Sequence, residues 1–140
     1  MKIHYSSKIA HCPAFTATLC AYADLLKNGH GNPKFEYGNQ SQVVYVTDDE
    51  ETIVLGANVF VLTPDNEGVF LFSFAHPDHR RKGLYTLMAE EVEKHLLKQG
   101  AQVITYGTWL DNAPMREVTK SMGTDEVSVR SAKWLSKQLK

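Results

Sequence analysis

HPDHRRKGLYTLM, residues 76–88, lies between an apolar run at 69–75 and an amphipathic run that lasts to about residue 98. It therefore reads as the turn from a strand into a helix. Arg80, Arg81 and Lys82 fall in what would be the first helical turn, where the macrodipole favours acids and opposes each cation by roughly 0.3–1 kcal/mol. A bound anion accounts for three such cations, because the first-turn N–H groups and the flanking charges would converge on it. A solvated charge run is the competing reading. Gly83 permits close backbone approach or a conformation closed to larger residues. The chain has no GxxxxGK[ST] and no GxGxxG with a downstream acid, so neither a P-loop nor a dinucleotide site is indicated.

Beyond the turn, Leu84, Leu87, Met88, Val92 and Leu96 share one helical face, and Gly100 is a stop. Residues 102–109 form the next strand, reached by a crossover that should be right-handed and parallel. The crevice should lie outside the carboxyl ends of these two strands. Asp111 or Asn112 is placed to cap a short helix with Pro114 in its first turn. Residues 124–135 alternate only at Val127 and Val129, which predicts one closing strand and a basic tail.

Before the turn, 64–68 read as a turn, 52–63 as a β-branched strand, 48–51 as an acidic turn and 42–47 as a strand. Three consecutive antiparallel strands are expected. Phe70, Phe72 and Phe74 should alternate to one buried face. The four acids at 48–51 read as a solvated turn, with attraction of a cationic acceptor as the alternative. Residues 28–40 carry turn residues and read as a loop. Pro13 opens a helix over 14–27 with Phe15, Leu19, Tyr22, Leu25 and Leu26 at helical spacing, and a short strand precedes it at 2–7.

The 140 residues suit one domain, 1–140, able to bury a core without staples. A net charge of -1 gives no global attraction to nucleic acid or to an anionic membrane, so neither is expected as a partner. Cys12 and Cys20 have no metal-site spacing and are expected as buried thiols in a reduced, cytoplasmic setting. The histidines show no HExxH and no ligand cluster, and no metal is expected.

Arg80, two residues, Gly83 and then Tyr85, with Pro77 three residues before the Arg, resembles the acyl-coenzyme A signature of the Gcn5-related N-acetyltransferase (GNAT) family. Tyr85 stands where the family carries Gly or Ala. A second family segment, an Asn followed eleven residues later by Gly, is matched by Asn112 and Gly123. The resemblance covers about residues 42–123. It implies an α/β (α+β) fold with a mixed, mostly antiparallel central sheet, one parallel β-α-β crossover and flanking helices. It also implies acetyl transfer from acetyl-CoA (coenzyme A) to a primary amine of a small-molecule or protein acceptor, and it leaves a homodimer open.

On that resemblance the backbone of Ser73, Phe74 and Ala75 would bond the pantetheine amides. Arg80, Arg81, Lys82, Gly83, Leu84, Tyr85 and Thr86 would hold the pyrophosphate, and Asn112 would contact the cofactor arm. The family's acid and base are not matched. Thr119 stands at the position of a Tyr that protonates the leaving thiolate, and Val69 and Gly107 stand at positions where a Glu is found. Glu67, two residues before Val69, is the nearest substitute for the base, with a turn acid as its alternative; Tyr85, Tyr106 and Ser121 are further candidates. Two other functions compete: a coenzyme A-binding regulatory or interaction module with little turnover, and a scaffold without ligand.

Overall fold

A computed structural model describes residues 1–27, 41–79, 83–107, 125–127 and 130–134. β1 (Lys2–Ser6) and α1 (Ala14–Lys27) are followed by β2 (Gln42–Thr47), β3 (Val54–Leu62) and β4 (Glu67–Ala75). α2 (Leu84–Lys98), β5 (Val103–Gly107), β6 (Asp125–Val127) and β7 (Arg130–Trp134) complete the order. The strands form one sheet in the order β1-β2-β3-β4-β5-β7-β6. β4 and β5 run parallel, and every other neighbouring pair is antiparallel. This is the mixed sheet with one β-α-β crossover that the sequence predicts.

α2 lies on one face, where Met88, Val92 and Leu96 are fully buried with Val44, Phe60 and Ile104 of the sheet. Each such side chain contributes roughly 1.5–3 kcal/mol on burial, against a few tenths for helix propensity. Docking therefore holds α2 in place. Its carboxyl end is also tied to β1 and β2: Tyr5 stacks on His95 at 3.9 Å, and Gln42 and Gln99 exchange amide hydrogen bonds of 2.9 and 2.7 Å. On the opposite face Ile9, Ala14, Val43, Ala57 and Val59 form a second cluster under α1. α1 docks through buried Ala14 and Thr18 and partly buried Phe15, while Leu19 is 37% exposed. The side chains of Tyr22, Leu25 and Leu26 lie outside the described residues.

The structure corrects the sequence at several points. β4 begins at Glu67, not Val69, because Asn66, at φ 62, takes the left-handed position of the turn. Gly68 serves packing instead: a Cβ there would stand 2.5 Å from Leu96 Cδ1. Val59 pairs with Phe72 and Phe60 with Phe70, so Leu71 is the extra residue of a bulge. Side-chain parity flips there. Phe70 packs on the α2 side while Phe72 and Phe74 pack on the α1 side, and the three do not share a face. The chain closes with two strands rather than one, since the Val127↔Arg130 register leaves only two residues between β6 and β7 and interrupts the alternation. Cys12 precedes α1 and is half-buried, its thiol pKa pushed up by burial. Cys20 is exposed, and both thiols are free.

Gly56 fixes how closely α2 can sit. A Cβ at Gly56 would meet the Phe74 carbonyl oxygen at 2.8 Å and Leu84 Cδ2 at 3.1 Å, and a ladder carbonyl has little room to yield. Gly56→Ala should lower stability by about 1–3 kcal/mol, the usual range for overpacking, measured as a lower urea midpoint at unchanged slope. An unchanged midpoint would show that the sheet relaxes freely there.

Candidate functional site

The site is assembled where β4 ends and α2 begins. Among the described residues β4 pairs with β5 from Glu67 to Phe70, opposite Val103 to Tyr106. Its ladder with β3 continues through Ser73↔Asn58, Phe74↔Ala57 and Ala75↔Gly56. Ser73, Phe74 and Ala75 thus lie further along β4 than Phe70↔Tyr106, the last β4–β5 pair among the described residues. The Phe74 side chain is in the α1-side cluster beside Phe72, with ring centroids 6.2 Å apart, so backbone is what this residue presents at the edge.

The turn that follows is built from its own histidines. His76 N–H donates to the Leu55 carbonyl at 2.6 Å and His79 N–H to the His76 carbonyl at 2.8 Å. Asp78 N–H donates to His76 Nδ1 at 3.2 Å. Arg80, Arg81 and Lys82 lie outside the described residues. In sequence they precede Gly83, the N-cap of α2 at φ 74 and ψ 10, so they are not in the first helical turn as the sequence suggested.

Gly83 has no side chain with which to cap, and the first turn of α2 holds no acid. Leu87 N–H makes the bond to the Gly83 carbonyl at 3.0 Å, so the N–H groups of Leu84, Tyr85 and Thr86 have no acceptor within the helix. Leu84 is buried against the sheet and offers this end its backbone. Burial pushes the Tyr85 phenol pKa well above its usual value, with the charge of Glu93 adding to it, so the phenol stays protonated. A helix start of this kind carries partial positive charge that favours an anion.

The acidic hairpin tip of β2 and β3 lies at the same end of the sheet and is satisfied internally. Asp48 accepts from Thr52 N–H at 2.7 Å, Thr52 Oγ1 at 2.6 Å and Ile53 N–H at 3.1 Å, and these bonds lower its pKa. Asp49 pairs with the N-terminal amine. Glu51 faces Lys2 Nζ and His4 Nε2, each at 3.4 Å.

Glu67 is a partly buried strand residue rather than a turn acid. Its Oε1 accepts from Thr105 Oγ1 at 2.5 Å, and its backbone is bonded at both N–H and C=O to Thr63. Thr105, 7% exposed, is a partner that sequence reasoning missed; the signal was its position two residues beyond the Glu67↔Val103 register. Glu67 stands at the amino end of β4, about 20 Å along the strand from Ser73 at roughly 3.3 Å per residue. The structure therefore does not bring Glu67 to the turn. Tyr106 is on β5 opposite Phe70. Asn112, Thr119 and Ser121 lie outside the described residues. Among the described residues no three His, Cys, Asp or Glu side chains converge on a metal-sized site, and no helix is long and apolar enough to cross a membrane.

Comparison with known proteins places this geometry. The family model described as Acetyltransferase (GNAT) family matches residues 12–124. No curated protein sequence matches the chain. Among solved structures, ribosomal-protein-alanine N-acetyltransferase from Brucella melitensis superposes with a TM-score of 0.74 at 13% identity, over 96% of this chain and 99% of that one. Ribosomal-protein-S18-alanine N-acetyltransferase from Escherichia coli gives 0.68 at 15% identity, over 94% and 92%. N-acetyltransferase from Staphylococcus aureus Mu50 gives 0.73 at 12%, over 96% and 99%. At such identities the likeness is one of fold.

Gly83 provides a test of the terminus. Nothing stands within 4 Å of a Cβ built there, so a side chain acts through the positive φ alone, at roughly 1–2 kcal/mol for an ordinary L-residue. Gly83→Ala should lower the unfolding free energy by about that amount, and Gly83→Asn by less because Asn tolerates this conformation. Equal losses in denaturant titrations would mean the left-handed cap is not what Gly83 supplies.

Proposed function

The chain belongs to the acetyltransferase (GNAT) family, and from that premise we propose that it moves an acetyl group from acetyl-CoA to a primary amine of a small molecule or protein. The observation that carries this reading is the run of β4 along β3 to Ala75, leading to a helix start with no capping side chain and no acid in its first turn. Coenzyme A suits both halves, with amides in its pantetheine arm for an extended backbone edge and phosphates for a helix N-terminus. Ser73, Phe74 and Ala75 would hold the arm. Arg80, Arg81, Lys82, Gly83, Leu84, Tyr85 and Thr86 would hold the phosphates, and Asn112 the arm from the other side. Tyr85 contributes its N–H, which does not depend on the side chain. One sheet running from β1 to β7 supports taking 1–140 as a single acyltransferase-like domain, and the two free thiols accord with a reducing, cytoplasmic setting.

The acyl donor supplies a thioester and a thiolate leaving group, which departs readily near neutral pH because a thiol has an unperturbed pKa of about 8.5. The chain's share is orientation, which can supply roughly 7–11 kcal/mol of the barrier, together with custody of the amine's proton. Glu67 takes that proton through a chain of waters, since Phe70 is about 10 Å away along β4. The Thr105 hydroxyl steadies the receiving carboxylate. Thr119 is too weak an acid to protonate the thiolate directly, and water or backbone donors stabilise it.

Val69, Gly107 and Thr119 in place of Glu, Glu and Tyr favour one alternative, a coenzyme A-binding module with little turnover. Release of free coenzyme A thiol with a panel of amines separates the two. An N-terminal alanine peptide belongs in that panel, because two of the structural likenesses are named for that acceptor.

Saturable turnover is expected with at least one amine. Glu67→Gln should then lower kcat/KM by at least about tenfold, at the modest end of general-base effects, with acetyl-CoA affinity retained. A variant with the parent's rate and pH profile would remove Glu67 from the chemistry. Added salt should weaken acetyl-CoA binding, since the phosphate contacts are ionic. Affinity independent of salt would remove the phosphates from the α2 terminus.

A further inference from the structure

Asn58 sits at the centre of β3 with no exposed surface, and neither its Nδ2 nor its Oδ1 has a hydrogen-bond partner among the described residues. An amide offers two donors and two lone pairs, and buried groups of this kind are nearly always bonded. A leucine of similar size would fill the same volume without that desolvation cost. The register shows what the amide faces. Asn58 is directly opposite Val44 on β2 and Ser73 on β4. Directly opposed residues project to one face with Cβ atoms about 4.5–5.5 Å apart, and Val44 belongs to the α2-side cluster. Ser73 is thus the polar side chain of this cross-strand set, within reach of the Asn58 amide by side-chain rotation alone. The two are not bonded in the structure.

We propose that Asn58 is a positioning residue for acyl-CoA binding: its buried amide takes the Ser73 hydroxyl when a pantetheine arm lies along the opposite edge of β4. This rests on the functional reading above. β3 is the ladder partner of β4 from Phe72 to Ala75, beyond Phe70, the last β4 residue paired with β5 among the described residues. Amides bonding that edge need it held at a fixed distance, and a side-chain bond from β3 to Ser73 supplies the hold at the middle of the segment. The orphaned amide is then a cost carried without ligand and recovered with it, as strained or unsatisfied groups at binding sites commonly are.

The test measures urea stability, acetyl-CoA affinity by calorimetry, and KM and kcat with whichever amine turns over. It uses the full chain and its Asn58→Leu, Ser73→Ala and doubly substituted forms. Asn58→Leu should be at least as stable as the parent, yet bind acetyl-CoA about three- to tenfold more weakly, a loss of about 0.7–1.4 kcal/mol. The loss should appear in KM for acetyl-CoA with kcat little changed. Ser73→Ala should lose affinity in the same range, and the double variant should lose no more than the weaker-binding single one, as two halves of one contact do. Asn58→Leu with parental affinity, or single losses that add, would overturn the pairing while leaving acetyl-CoA binding in place. A parent chain that binds no acetyl-CoA would overturn the functional reading itself. If Asn58→Leu does not fold, the partly exposed Ser73 carries the test, and parental affinity in Ser73→Ala overturns the proposal.

Discussion

Leu71 has no opposite number on β3, and that one extra residue in β4 sets the geometry on which the site depends. It reverses which residues face which helix, sending Phe72 and Phe74 to the α1 side and leaving Ser73 and Ala75 on the side of α2. It also falls immediately after Phe70, the last β4 residue paired with β5 among the described residues. A bulge twists and bends the strand that carries it. Here the bend aims the continuation of β4 along β3, through Ala75, at the start of α2.

α2 is placed by packing and tuned by what its first turn lacks. Met88, Val92 and Leu96 together bury several kcal/mol of apolar surface by the usual figure of about 1.5–3 kcal/mol each, and close approach is allowed by the bare backbone at Gly56 and Gly68. That sum exceeds the cost of an unfavourable helix end, about 0.5–2 kcal/mol for an absent cap. The fold can therefore leave the N-terminus of α2 without acid or capping side chain. In the hairpin tip at the same end of the sheet, Asp48, Asp49 and Glu51 face Lys2, His4, the N-terminal amine and the turn's own donors, which draws their charge away from the terminus.

The strand–turn–helix at 69–98, the antiparallel strands before it and the parallel strand after it were all legible, because alternation, β-branching and helical spacing are local properties. The bulge was not. Residues 69–75 are apolar almost without interruption, so periodicity holds no record of a flip in parity. Gly68 looks like a turn residue in sequence, yet its use is to admit Leu96, a contact twenty-eight positions away. Thr105 and Asn58 were invisible for a related reason. Each matters through a partner on a neighbouring strand, Glu67 for one and Ser73 for the other, and register between strands is set by the whole sheet. The cations of the turn and the pair Asn112 and Thr119 were legible as a family resemblance and lie outside the described residues.

The central claim is that the far half of β4 and the first turn of α2 act together as one acyl-CoA site. Amide hydrogen exchange, followed residue by residue with and without saturating coenzyme A, tests both segments in one measurement. The account predicts slower exchange at Ser73, Phe74 and Ala75 and at Leu84, Tyr85 and Thr86 on binding, with β1 unchanged. Saturable binding that leaves either segment at its original exchange rate, or that protects β1 and α1 instead, would contradict it.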